Sequence, residues 1–184
     1  MEIAFENVLN DEEECIFLVQ HEGIFSAGKS YRESDFIGQK KLPVYHTNRG
    51  GRVTIHSKGQ IVIYPIINLK KRGINISSFV HTLENWMMDV LKYIGIESRT
   101  SEKGIGVWTK DELSKLGFVG IHISKGISTH GLCLNINNDI SLFESIIPCG
   151  IQNINITSVS NILGYDINIE KIAEIFIQTC PFEK

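Results

Sequence analysis

Proline and cysteine are scarce in this sequence, four of each among 184 residues, and no apolar run reaches the roughly 18–20 residues that a membrane-spanning helix requires. No membrane segment is expected. Met1 is followed by an acidic stretch, not by a basic region and an apolar segment, so the chain reads as soluble and cytoplasmic. Cys15, Cys133, Cys149 and Cys180 are scattered, with no CxxC and no Cys/His pairing at zinc-site spacing, so no metal is expected. Each thiol is then either a small core hydrophobe or a reactive nucleophile. Neither a P-loop nor a GxGxxG pattern occurs, which removes the usual nucleotide cradles and leaves no cofactor implied.

What is present fits one folded domain over 1–184. Apolar residues make up 42% of the chain, charged residues 21%, and 16 glycines punctuate it, a composition of alternating elements and turns. The net charge is −3, yet Phe36 to Ile76 carries eight Lys or Arg and no Asp or Glu. Such a block either steers an acidic partner or forms a solvated surface. Nucleic acid is not expected, because aromatic residues are sparse in the block and the overall charge is negative.

Periodicity gives the elements. Residues 15–19 (CIFLV) read as a buried strand, and HEGIFSAGKS after them as a loop. Arg52–Ile55 alternates, and IVIYPII at 61–67 has buried-strand character, with Pro65 marking an edge or a bulge. Ser77 or Ser78 caps a helix in which Phe79, Val80, Leu83, Trp86, Met87, Val90, Leu91 and Ile94 recur at three and four, stopped by Gly95. At that spacing Trp86, Met87 and Met88 are core, not a cofactor box. Gly104 to Trp108 forms a short strand. The alternation across Gly120–Ile123 and Gly131–Ile136, around Lys125-Gly126, predicts a β-hairpin. Asn168 caps a last helix that turns Ile172, Ile175 and Phe176 inward.

Cys149 lies in IIPCGI, between a proline that fixes φ and a glycine that permits unusual dihedrals. A thiol on such a turn is placed for exposure. A thiol with an ordinary pKa of about 8.5 needs a nearby cation or base to work as a thiolate at neutral pH.

Three blocks occur in order: NRGGRVTIHSKGQIVIYPIINL at 48–69, SKLGFVGIHISKGISTHGLCLNIN at 114–137, and IIPCGI at 146–151. Together they resemble the lipoyl(octanoyl) transferase family, whose members carry an RGG-x-(V/T)-T-x-H-x-x-GQ segment, a K-x-x-x-x-G segment followed by H-G-x-x-(L/I)-N, and P-C-G. The resemblance implies an α/β (α+β) fold with a mixed sheet backed by helices, like the catalytic domains of biotin and lipoate protein ligases. It implies transfer of an octanoyl group from acyl carrier protein to a cysteine, then to a lysine of lipoyl domains in 2-oxoacid dehydrogenase subunits or of the glycine cleavage H protein. The family cysteine falls on Cys149 and the family lysine on Lys115. The substrate pocket falls on Arg49, Gly50, Gly51, Arg52, Val53, Thr54, Ile55 and His56, on Phe118, Val119 and Gly120, and on Gly131, Leu132 and Cys133. His56 and His130 are each either structural or substrate-contacting.

The chain departs from its relatives at Ser57-Lys58, where HGPGQ is common, at Gly117, often alanine, and at the bulkier Phe118. The segment ahead of Phe17 is shorter than usual. Oxyanion donors are expected near Cys149 or along Arg49–Gly51. Two rival readings remain: an ATP-dependent lipoate ligase of the same fold, and a noncatalytic module that binds an acidic protein through the basic block.

Overall fold

A computed structural model describes residues 1–182. Ten strands form two sheets: β1 Cys15–Val19, β2 Gly23–Ala27, β3 Val44–His46, β4 Val53–Ser57, β5 Gln60–Ile66, β6 Ser98–Arg99, β7 Val107–Thr109, β8 Ser114–Ser124, β9 Ile127–Asn135 and β10 Asn155–Ile156. The helices are α1 Glu2–Leu9, α2 Leu69–Arg72, α3 Ile76–Tyr93, α4 Val159–Leu163 and α5 Ile169–Gln178. The larger sheet runs β1-β5-β9-β8-β7-β6 with antiparallel pairing, and β10 adds to β8 in parallel. The smaller sheet runs β3-β2-β4. This is the mixed sheet backed by helices expected from the resemblance. Among the described residues no helix is long and apolar enough to cross a membrane.

The larger sheet buries both faces. On one, α3 and α5 cover Ile61, Ile63, Leu116, Leu132 and Leu134, with Phe79, Leu83, Trp86 and Met87 from α3 and Ile172 and Phe176 from α5. Trp86 also donates its indole N–H to the Phe176 carbonyl at 3.1 Å, so its one polar atom is satisfied on burial. On the other face the smaller sheet packs Phe25, Val53 and Ile55 against Val62, Phe118 and Cys133. The tight Lys58-Gly59 turn joins β4 to β5 and thereby joins the sheets.

Several expectations are met and several are moved. The hairpin at Lys125-Gly126 is present, with both turn residues at positive φ (51° and 84°), the geometry that matches strand twist. Asn168 caps α5 by accepting from Lys171 N at 3.0 Å. The α3 cap is Asn75, whose Oδ1 accepts from Ser78 N at 2.8 Å, so the helix starts ahead of Ser77. HEGIFSAGKS is no simple loop: it contains β2, the middle strand of the smaller sheet. CIFLV is an edge strand and only half-buried. β5 is internal, and Pro65 marks a break in the ladder with β9, which stops at Ile63–Leu132 and returns as one bridge at Asn68–Ile127. Gly131 and His130 (φ 58°) lie opposite that break, where proline has no N–H to donate. At the amino end, α1 occupies the segment that the resemblance marks as shortened.

The basic block does not form a free patch. Lys40 pairs with Glu33, Arg52 with Asp35, Lys58 with Glu22, Lys71 with Asp11 and Arg72 with Glu14. Arg49 is buried. The acids that answer the block come from before it in the chain, so the run of one sign in sequence is mixed on the folded surface.

Candidate active site

Cys149 sits on a one-turn 3-10 segment, Pro148–Gly150, in the left-handed region at φ 56° and ψ 11°, and its side chain is exposed. The left-handed conformation costs a non-glycine residue roughly 1–2 kcal/mol, which the surrounding contacts must hold in place. Three of them are visible. Gly150 N donates to the Ile147 carbonyl at 3.0 Å, Ile147 N to the Asp35 carbonyl at 2.7 Å, and the Arg52 guanidinium is bound by the Asp35 carboxylate. Asp35 is fully buried, and this one residue holds Arg52 through its carboxylate and the turn that carries Cys149 through its backbone carbonyl.

Gly150 has φ 72°, and a Cβ built there would fall on the Arg52 guanidinium. Gly150→Ala is therefore expected to cost roughly 1–2 kcal/mol of stability and to lower activity at least about tenfold by shifting the Cys149 turn. Chemical denaturation and transfer kinetics on one preparation check both numbers.

Lys115 reaches Cys149 because β8 is bulged. Trp108 pairs with Lys115, but Val107 pairs with Gly117, so β8 has one extra residue there. Leu116 and Gly117 then both face α3, Gly117 so tightly that a Cβ would lie 2.7 Å from Met87 Sδ. Lys115 and Phe118 both face the smaller sheet, which strict alternation would forbid. The Lys115 side chain is 1% exposed, with Nζ 4.0 Å from Cys149 Sγ and 2.5 Å from the Ile105 carbonyl. The rings of Trp108 and Phe118 lie 5.4 and 5.0 Å from the ammonium and complete its surroundings. On the outer side Thr157 N donates to the Lys115 carbonyl at 3.0 Å, which fixes the backbone.

A cavity of about 360 Å³ opens beside Cys149 between the two sheets. Arg49, Gly50, Gly51, Arg52, Val53, Thr54 and His56 line it, as do Phe118, Val119 and Gly120, and Gly131, Leu132 and Cys133. Ile55 does not: it is fully buried in the layer between the sheets with Phe25 and Phe143. Phe118 stacks on Phe143 at 5.6 Å, so its bulk goes partly into that layer and does not close the cavity. His21, Ser26, Val62, Tyr64 and His130 also line the cavity. Of these, Val62 and Tyr64 had a signal in the period-two pattern of β5. His21 and Ser26 lay hidden in the segment read as loop.

Arg49 spends its donors on Ser26 and on the Gly50 carbonyl, and among the described residues it forms no ion pair with a carboxylate. Burial holds its pKa below the usual arginine value. The Gly50 N–H is committed to the Ile121 carbonyl at 2.7 Å and the Gly150 N–H to Ile147, so neither of these two is an oxyanion donor. His56 Nδ1 lies 2.7 Å from Gln60 Oε1; Gln60 itself donates to Ile55 and Asn135, so the network assigns the proton to His56 Nδ1. His130 Nε2 lies 2.6 Å from Asn48 Oδ1. Both histidines are structural and cavity-lining at once.

Burial, with Arg49 nearby, pushes His56 down to about 3 and His130 to about 4, while burial pushes the Cys133 thiol up to about 12. Cys133 is therefore inert wall. The folded state keeps both imidazoles neutral, whereas the unfolded chain binds protons from about pH 6.5 downward. Stability is thus full above about pH 6.5 and is lost as pH falls toward 4, at up to about 1.4 kcal/mol per pH unit for His56. Guanidinium denaturation at pH 7 and pH 5 should show that loss, and His56→Gln should reduce it. Among the described residues no group of three or more His, Cys, Asp or Glu side chains gathers as a metal site.

Comparison with known proteins bears on the family and the fold. Residues 1–180 match the model of the lipoyl protein ligase A/B catalytic domain. The octanoyltransferase of Rickettsia rickettsii (strain Sheila Smith) is 37% identical over 185 residues, covering 97% of this chain and 88% of the relative. That of Rickettsia canadensis (strain McKiel) is 37% identical over 174 residues, covering 92% and 82%. The fold is shared with the bipartite lipoate protein ligase of Thermoplasma acidophilum, at TM-score 0.75 and 12% identity over 97% of this chain and 76% of that one. It is shared more distantly with biotin protein ligase from Aquifex aeolicus, at TM-score 0.56 and 15% identity over 85% and 67%. With its motifs, fold and relatives in agreement, the chain belongs to the lipoyl protein ligase A/B catalytic-domain family, as an acyltransferase of its lipoyl(octanoyl) transferase branch.

Proposed function

We propose that the chain moves an octanoyl group from the phosphopantetheine thioester of acyl carrier protein to a lysine of a lipoyl domain, by way of a thioester on Cys149. The observation that supports this most is the 4.0 Å approach of a buried lysine amine to an exposed cysteine sulfur at the edge of an apolar-walled cavity. At that distance the Lys115 amine can take the proton of the thiol and leave a thiolate. The thiolate attacks the donor carbonyl, the pantetheine sulfur leaves, and Lys115 gives that sulfur its proton. In the second half the amine of the acceptor lysine attacks the Cys149 thioester. Lys115, now neutral, takes a proton from the attacking nitrogen as the amide forms and Cys149 leaves as thiolate.

The cavity lies at the small end of the roughly 300–1,000 Å³ range of ligand sites, which suits one short acyl chain. Val62, Phe118 and Cys133, which face the smaller sheet, supply apolar wall for it. Thioester exchange is nearly isoenergetic and thioester-to-amide transfer runs downhill, so no nucleotide enters. The test is incubation with octanoyl-carrier protein and a lipoyl domain, without ATP, followed by mass analysis of the acceptor. Octanoylation of the lipoyl-domain lysine is the expected result. Transfer that occurs only with ATP, or pyrophosphate exchange with free octanoate, would assign the chain to the ligase chemistry instead.

A further inference from the structure

The cation beside Cys149 is itself held by one peptide group, and that group is held from behind. The carbonyl of the Ile105–Gly106 peptide accepts from Lys115 Nζ at 2.5 Å, and the N–H of the same peptide donates to Glu84 Oε1 at 2.7 Å. Glu84 projects from α3 and is 4% exposed, yet among the described residues it makes no ion pair with a lysine or arginine. A buried carboxylate in that position is costly unless an opposite charge and hydrogen bonds answer it. Lys115 bonds the other end of the same peptide. A peptide held between a carboxylate and an ammonium is polarised in the same sense by both, and the two hydrogen bonds strengthen each other.

The segment around the peptide is built to stay put. Trp108 Nε1 donates to the Gly104 carbonyl at 2.9 Å, while the Trp108 ring borders the ammonium. Gly106 has φ 124°, and a Cβ there would lie 2.8 Å from Lys115 Cε, so the backbone presses directly on the lysine. We propose that Glu84 is a positioning residue of the site, which holds the Lys115 side chain against Cys149 through the Ile105–Gly106 peptide that joins them. This rests on reading Cys149 and Lys115 as the working pair.

Other charges near the relay are few. His81, on the same helix as Glu84, lies 3.1 Å from its second oxygen and is largely exposed. Arg99, Glu102 and Glu112 border the same cleft, with Arg99 and Glu112 paired to each other at 3.2 Å. Cys149 faces Lys115 from the Pro148–Gly150 turn, and Cys133, close enough to Lys115 to feel its charge, lies across the cavity wall on β9.

The test is the pH dependence of iodoacetamide alkylation, followed on the Cys149 peptide by mass spectrometry in the full chain. Glu84→Gln keeps an oxygen that can accept from Gly106 N–H and removes only the charge. The pH of half-maximal alkylation is expected to rise by roughly one unit, with the alkaline plateau rate unchanged. Glu84→Asp should restore most of that shift, and His81→Gln should leave the midpoint where it is. In a Lys115→Met background Glu84→Gln should no longer move the midpoint. An unmoved midpoint in Glu84→Gln, the same movement with Lys115 absent, or a shift reproduced by His81→Gln would each overturn the proposal. Alkylation needs neither acyl donor nor acceptor, so a failure here is distinguishable from a failure of the transfer reaction.

Discussion

Replacing Lys115 with methionine is expected to lower transfer kcat/KM by roughly 10²–10⁴-fold, the usual range for a positioned acid/base group, without unfolding the protein. Methionine matches the apolar stem of lysine and fits between Trp108 and Phe118. It also leaves the Ile105 carbonyl without its donor and the buried Glu84 carboxylate without the charge that answers it, so stability is expected to fall while the fold is kept. Comparing steady-state kinetics with a denaturation midpoint separates the two effects. A variant that keeps its activity would remove Lys115 from the chemistry, whatever its stability.

Replacing Cys149 with alanine should reduce transfer to background, a loss of at least about 10³-fold, because no other thiol in the cavity can take its place. Cys133 lines the same space, but its thiol is pushed up to about 12 by burial and stays protonated at neutral pH. The fold should barely notice. The Cys149 side chain is exposed, its left-handed backbone is held by Asp35 and Ile147 and not by its own sulfur, and alanine occupies that conformation at similar cost. Denaturation curves that superimpose on those of the parent protein would show that the lost activity is chemical.

Much of this could be read from the residues. The hairpin at Lys125-Gly126, the inward face of α3 and the Asn168 cap follow from period and turn chemistry that act within a dozen residues. The pairing of Lys115 with Cys149 came from the order of three motifs, since 34 positions separate the two side chains. Features that depend on a partner strand were not legible. The bulge at Leu116 and Gly117, which turns Lys115 toward the sulfur, exists only in the register of β8 against β7. The strand β2 is five residues beginning with glycine, and its neighbours β3 and β4 lie well downstream in the chain.

Two charge readings also required the fold. The basic run from Phe36 to Ile76 looked like a patch because sequence lists its cations together; five of the eight are answered by acids earlier in the chain. Glu84 drew no notice because a glutamate in an amphipathic helix ordinarily faces solvent. Only the loop folded over α3 buries it and turns its carboxylate toward the peptide that holds Lys115.

The most direct measurement is intact-mass analysis within the first turnovers after mixing with octanoyl-carrier protein and no acceptor. The protein should gain the mass of one octanoyl group, localised to the peptide that carries Cys149, and should lose it when a lipoyl domain is added. An adduct that persists in Cys149→Ala, or acceptor octanoylation with no acylated intermediate in the parent protein, would contradict the account.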